Sequence, residues 1–143
     1  MVVAIVGLMT AMAFRPTYRA VQATKLRSAR VALANYVATA RAASMAQNCR
    51  TVFHVLQGSV GRVWVTACRV GNVGAATGAV DTVGRVDSVG ARYGVTLSAT
   101  ADSVVFDASG LTPAFTASTF RVLKTSMSLS DSLVVNAVGK VVR

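Results

Sequence analysis

The opening of the chain leaves it few choices of architecture. Residues Met1–Phe14, MVVAIVGLMTAMAF, carry no charge, and Thr10 is their only polar side chain. After Arg15-Pro16 the sequence runs from Thr17 to Leu56 without a further Gly or Pro. As far as Asn48 it is rich in Ala, the best helix former. Leu26, Ala29, Leu33, Tyr36, Val37 and Ala40 recur at three- and four-residue steps, the spacing of one helical face. Arg19, Lys25, Arg27, Arg30 and Arg41 mostly lie off that stripe. An all-apolar helix therefore runs into an amphipathic one. Pro16 stands near the junction, where its missing backbone donor predicts a kink.

A membrane-spanning helix needs about 20 apolar residues to cross a hydrocarbon core of roughly 30 Å. Fourteen residues rise only about 21 Å. Three readings compete for this segment. A secretory h-region wants a basic stretch ahead of it, a buried core helix suits the length, and the third is the second half of a longer membrane helix. The amphipathic continuation favours the third, because the composite of about 45 helical residues exceeds what one small domain wraps. The units expected are residues 1–16 as a truncated transmembrane helix half, 17–47 as an amphipathic stem, and 48–143 as a β-rich head.

Beyond Asn48 the period changes to two. Cys49–Leu56 and Val60–Cys68 are rich in Val, Thr, Phe and Trp and read as strands. Gly58-Ser59 suits a two-residue type II′ turn. That turn puts Phe53 opposite Trp64, Cys49 opposite Cys68, and His54 beside Val63. The cysteines are then a candidate disulfide, with two free buried thiols as the alternative. Two cysteines and one distant His do not make a zinc site. The glycine-dense stretch 71–94 contains no phosphate-loop motif and reads as a surface loop or irregular hairpin. Further strands are expected at Gly94–Ser98, Ser103–Phe106, Thr119–Leu123 and Ser132–Asn136, with a last short one in Gly139–Arg143. The fold class is α+β, a long N-terminal helix packed on a small antiparallel sheet.

At 143 residues, 53% hydrophobic and 14% charged, the chain is one ordered unit rather than a disordered one. Fifteen Lys and Arg face five Asp and no Glu, giving a net charge of +10. His54 is the only His, the aspartates are scattered near turns, and no serine has a His-plus-acid partnership visible by motif. No catalytic constellation, cofactor site or metal site is expected, and no small-molecule substrate. Basic charge is the feature left over. It gathers at Arg15–Arg30 and at Arg121, Lys124, Lys140 and Arg143, and arginine's flat fork of donors suits phosphate.

Several stretches resemble the type IV pilin-like superfamily, most closely its GspH/FimT-type minor pseudopilins. MVVAIVGL at Met1–Leu8 is similar to the continuation of the family's apolar run, and Pro16 falls where the family often has a proline. ARAASMAQN at Ala40–Asn48 resembles its helix end, VFDASG at Val105–Gly110 its strand and turn, and SDSLVVNAVGKVVR at Ser130–Arg143 its terminal hairpin. The family's leader, its cleavage site and the following glutamate are absent, so the resemblance implies that Met1 is an internal methionine of a longer product.

The same resemblance implies a structural subunit of a type II secretion pseudopilus or type IV pilus. Such a subunit would sit in the bacterial inner membrane by a single pass with its head in the periplasm. Val2, Val3, Ile5, Val6, Leu8, Met9, Met12 and Phe14 would meet lipid before assembly and neighbouring helices after it. Its partners would be other pilins and inner-membrane assembly proteins. The positive-inside rule alone would put the Arg-rich side in the cytoplasm, so this orientation depends on the leader. An alternative role is duplex DNA binding for natural transformation. FimT-type pilins bind DNA through a C-terminal Gly-Arg-x-Arg element, to which Gly139-Lys140-Val141-Val142-Arg143 is similar but not identical. A third reading, a soluble secreted β protein, predicts recovery in buffer without detergent.

Overall fold

Helical periodicity sets the frame. In the computed structural model, which describes residues 2–68, 80–114 and 116–142 with side chains from residue 17 onward, α1 runs unbroken over Val2–Gln47. Its buried positions are Gln22, Leu26, Ala29, Leu33, Val37, Ala40 and Ser44, again at three- and four-residue steps. Tyr36, expected in that stripe, is only half-buried at its margin. Burying a Leu or Val side chain stabilises the fold by about 1.5–3 kcal/mol, so the stripe from Leu26 to Val37 is the seam that fixes helix to head. The helix stops at Asn48, which takes the left-handed conformation at φ 49°.

The described strands are β1 (Thr51–Leu56), β2 (Arg62–Cys68), β3 (Val80–Ser88), β4 (Thr96–Ala99), β5 (Ser103–Phe106), β6 (Ser118–Lys124), β7 (Leu129–Val135) and β8 (Val141–Val142). A short helix α2 (Val89–Tyr93) follows β3, and a 3-10 turn, Thr125–Met127, follows β6. The head is two antiparallel four-stranded sheets among the described residues rather than one, ordered β3-β2-β1-β5 and β4-β6-β7-β8. The sheets meet under α1, which packs on strands of both. Phe53 of β1 and Phe120 of β6 join them edge to face, ring centroids 5.6 Å apart, and both are fully buried. Thr51 adds a polar tie, its Oγ1 donating to the Ala40 carbonyl of α1 at 2.8 Å.

The first hairpin differs from the expected register by one residue. His54 pairs with Trp64, Phe53 with Val65 and Val55 with Val63, so Phe53 does not face Trp64. The reason is tertiary. Gly58 exchanges backbone hydrogen bonds with Leu97 of the other sheet, at 2.9 and 3.0 Å, instead of closing a tight turn. Gln57 donates to Asp102 Oδ1 at 2.7 Å and accepts from the Ala99 N–H at 3.2 Å. The carbonyls of Val60 and Gly61 accept from the first N–H groups of α2. Gly90 permits this contact, since a Cβ there would lie 2.6 Å from the Ser59 carbonyl oxygen. A loop whose polar groups are satisfied by two other elements outcompetes a two-residue turn.

The glycine-dense stretch is also ordered in its second part. Residues 71–79 lie outside the described residues, but Val80–Ser88 forms an edge strand against β2. Its register slips between Val63 and Val65, where Gly84 takes φ +78°, as a β-bulge requires.

Candidate functional site

The residues expected to pack in a membrane or filament, Val2, Val3, Ile5, Val6, Leu8, Met9, Met12 and Phe14, all belong to α1; the described features there are those of the backbone. The helix continues through Pro16. A helix of 46 residues rises about 69 Å, and among the described side chains the stripe held by the head begins at Gln22. Residues 17–21 expose their side chains, Tyr18 at 57% and Val21 at 47%. Among the described residues no helix is long and apolar enough to cross a membrane.

Cys49 and Cys68 are joined by a disulfide, with Cα atoms 6.2 Å apart. They are not the directly opposed pair first expected. Cys68 ends β2, while Cys49 lies between α1 and β1, ahead of the first paired residue Thr51. The bond therefore crosses the open end of the β1–β2 hairpin, next to the end of the helix.

His54 faces Trp64 and not Val63. Its ring stacks on Trp64 at 5.0 Å between centroids and 9° between planes, and Nε2 lies 2.9 Å from Thr66 Oγ1. Burial pushes its pKa down from the usual histidine value. The aspartates serve structure in different ways. Asp107 Oδ1 accepts from the Ser109 hydroxyl at 2.6 Å and from the Ser109 and Leu111 N–H groups at 2.9 and 3.0 Å. The Ser109 hydroxyl first, then the Leu111 N–H, hold its carboxyl below the usual carboxylate range. Asp131 pairs with Arg30 at 3.0 Å and Asp87 with Arg92 at 2.9 Å, so these two are ion-pair partners rather than turn caps. Among the described residues no group of three or more His, Cys, Asp or Glu could hold a metal ion.

Of the C-terminal basic residues, Arg121, Lys124 and Lys140 are described, each in its own setting. Lys124 Nζ donates to the Gly94 carbonyl. Lys140 follows the β7–β8 turn, where Asn136 Oδ1 accepts from its N–H at 2.8 Å. Arg143 lies outside the described residues. Arg121 is exposed on the face of β6 turned away from the buried Phe120 and Val122, paired with Ser132 of β7. A furrow between α1 and β7 is lined in its lower part by Arg19, Ala23 and Leu129, in its middle by Arg27, Arg30 and Asp131. A separate depression on the outer face of the sheet is lined by Arg121, Leu123, Ser130 and Ser132. Only Asp131 offsets Arg19, Arg27 and Arg30 in the furrow, and it is already held by Arg30. Arg30 and Asp131 are 101 residues apart in sequence, so no local motif announces the cluster.

Comparison with solved structures finds this fold in two crystal forms of the type IV minor pilin FimU of Pseudomonas aeruginosa strain PAO1. The first, in space group P21, superposes with a TM-score of 0.60 at 18% identity, covering 82% of this chain and 87% of that one. The second, in P65, gives 0.57 at 18% identity, with 81% and 90% covered. The α+β architecture of a long N-terminal helix on an antiparallel head is thus a pilin-like fold. No family model matches the sequence. A comparison with curated proteins found no match.

Proposed function

We propose that this chain is a non-enzymatic minor pilin or pseudopilin of the GspH/FimT kind, a structural subunit of a type IV pilus or secretion pseudopilus. Before assembly it resides in the bacterial inner membrane through the N-terminal part of α1, with the head in the periplasm. On assembly, Val2–Phe14 leave lipid and pack against the helices of other pilins, while the head meets inner-membrane assembly proteins. The observation that carries this reading is the division of α1: the head binds the stripe from Gln22 onward, and an uncharged apolar run of fourteen residues precedes it.

Cell fractionation tests this. We expect the full chain in the membrane fraction, released only by detergent, and Val6→Asp in the soluble fraction, since a carboxylate at mid-helix costs about 2.5–3.5 kcal/mol in a bilayer. Wild-type chain recovered in detergent-free buffer would refute the assignment.

A second reading, capture of duplex DNA, draws on the furrow. Arg19, Arg27 and Arg30 line it with one carboxylate, Asp131, while Arg121 of the C-terminal set lies on the outer face of β6. Neutralising phosphates along such a channel gives binding that is indifferent to sequence and steep in salt.

A further inference from the structure

On the other flank of α1 the helix meets β3 and α2 in a groove of about 640 Å³. Three elements each contribute one arginine to it: Arg27 from α1, Arg85 from β3 and Arg92 from α2. One carboxylate faces them. Asp87 is nine-tenths buried, with Arg92 Nη1 at 2.9 Å from one oxygen and Arg85 Nη2 at 3.9 Å from the other. Asp87 can neutralise one of the three cations, and the short bond assigns it to Arg92. Arg85, with 71% of its side chain exposed, and Arg27, also exposed, are left to face solvent across the groove. Tyr36 and Tyr93, both half-buried, line the space between them and suit the apolar stems of an entering chain.

A second copy of this protein is poorly matched in charge to the groove. The chain has five Asp and no Glu at a net charge of +10, so copies repel one another. Its carboxylates are also engaged: Asp131 by Arg30, Asp102 by Gln57, and Asp107 within its own turn. Asp81 has a partner as well. The complement must come from a different molecule.

We infer that this groove docks a glutamate- or aspartate-bearing segment of a non-identical protein, whose carboxylates meet Arg85 and Arg27. The inference rests on the subunit reading only for taking that protein to be a neighbouring subunit. Arginine fits the task because its fork holds a carboxylate through two parallel hydrogen bonds.

The test uses the full chain in detergent and a fluorescent oligoglutamate of about ten residues, read by anisotropy, a length that spans the groove when extended. Arg27→Gln/Arg85→Gln should weaken binding by roughly tenfold, and Arg85→Glu by more, while Arg19→Gln/Arg121→Gln, in the furrow and on the outer face of β6, should change it less than about twofold. Arg92 stays intact because it holds Asp87, and Arg85 is exposed enough that either substitution leaves the fold in place. Equal losses from the two pairs would reduce the effect to bulk charge and overturn the proposal. So would loss of duplex DNA binding, rather than oligoglutamate binding, in Arg85→Glu. Membrane fractionation is untouched by any of these results, so the two readings fail separately.

Discussion

His54 and Trp64 are each the only residue of their kind in the chain, and they are stacked on one another, which makes the pair its own reporter. Burial favours the neutral imidazole, so the folded pKa lies below the unfolded one. The unfolded chain then takes up the proton first as pH falls. The contribution of His54 to stability is complete above the unfolded value and drains away as pH drops from there to the folded value. We expect the melting temperature to decline between about pH 7.5 and pH 5, around the ordinary histidine value, with Trp64 emission changing at a midpoint below that value. His54→Gln should remove both effects, and a midpoint at or above the ordinary value would contradict the assignment. The sequence marks His54 as structural but puts it beside Val63. The one-residue slip that gives it Trp64 comes from Gly58 pairing with Leu97, a contact no local turn preference contains.

At the scale of elements, the disulfide yields the sharpest expectation. It closes a span of 19 residues that holds the whole β1–β2 hairpin. Constraining a loop of that size in the unfolded chain stabilises the fold by about 3 kcal/mol. Reduction, or Cys49→Ser/Cys68→Ser, should therefore lower the calorimetric melting temperature by roughly 10 °C. An unchanged transition would mean that the bond constrains nothing the fold does not already fix. Legibility differs between elements for physical reasons. The core stripe of α1 and the strands β1, β2 and β5 to β7 carry their periodicity in their own residues. By contrast β3 exposes most of its side chains, so no alternation marks it, and Gly84 disguises it as loop. The short helix α2 is held at its start by carbonyls from Val60 and Gly61. The arginines of the groove and furrow were visible as charge, but their grouping depends on elements far apart in the chain.

For the molecule as a whole, charge and load are the quantities that matter. A net charge of +10 guarantees some affinity for any polyanion, so binding alone discriminates little. The salt slope does discriminate. If the furrow tracks duplex DNA, a plot of log affinity against log salt should flatten by about two in Arg19→Gln/Arg27→Gln, one unit for each lost phosphate contact. Lys140→Gln, outside the furrow, should lower the slope less, and identical slopes in all variants would remove the DNA reading. Mechanical consequences follow from where the disulfide sits. Tension drawn in through the N-terminal end of α1 leaves the helix at Asn48 and reaches the hairpin at Thr51, opposite Ala67. Paired strands give way most easily when peeled open rung by rung from a free end. Here that end is shut by a covalent clasp between Cys49 and Cys68, so a pull crosses the disulfide to the end of β2 and bypasses the rungs of the hairpin.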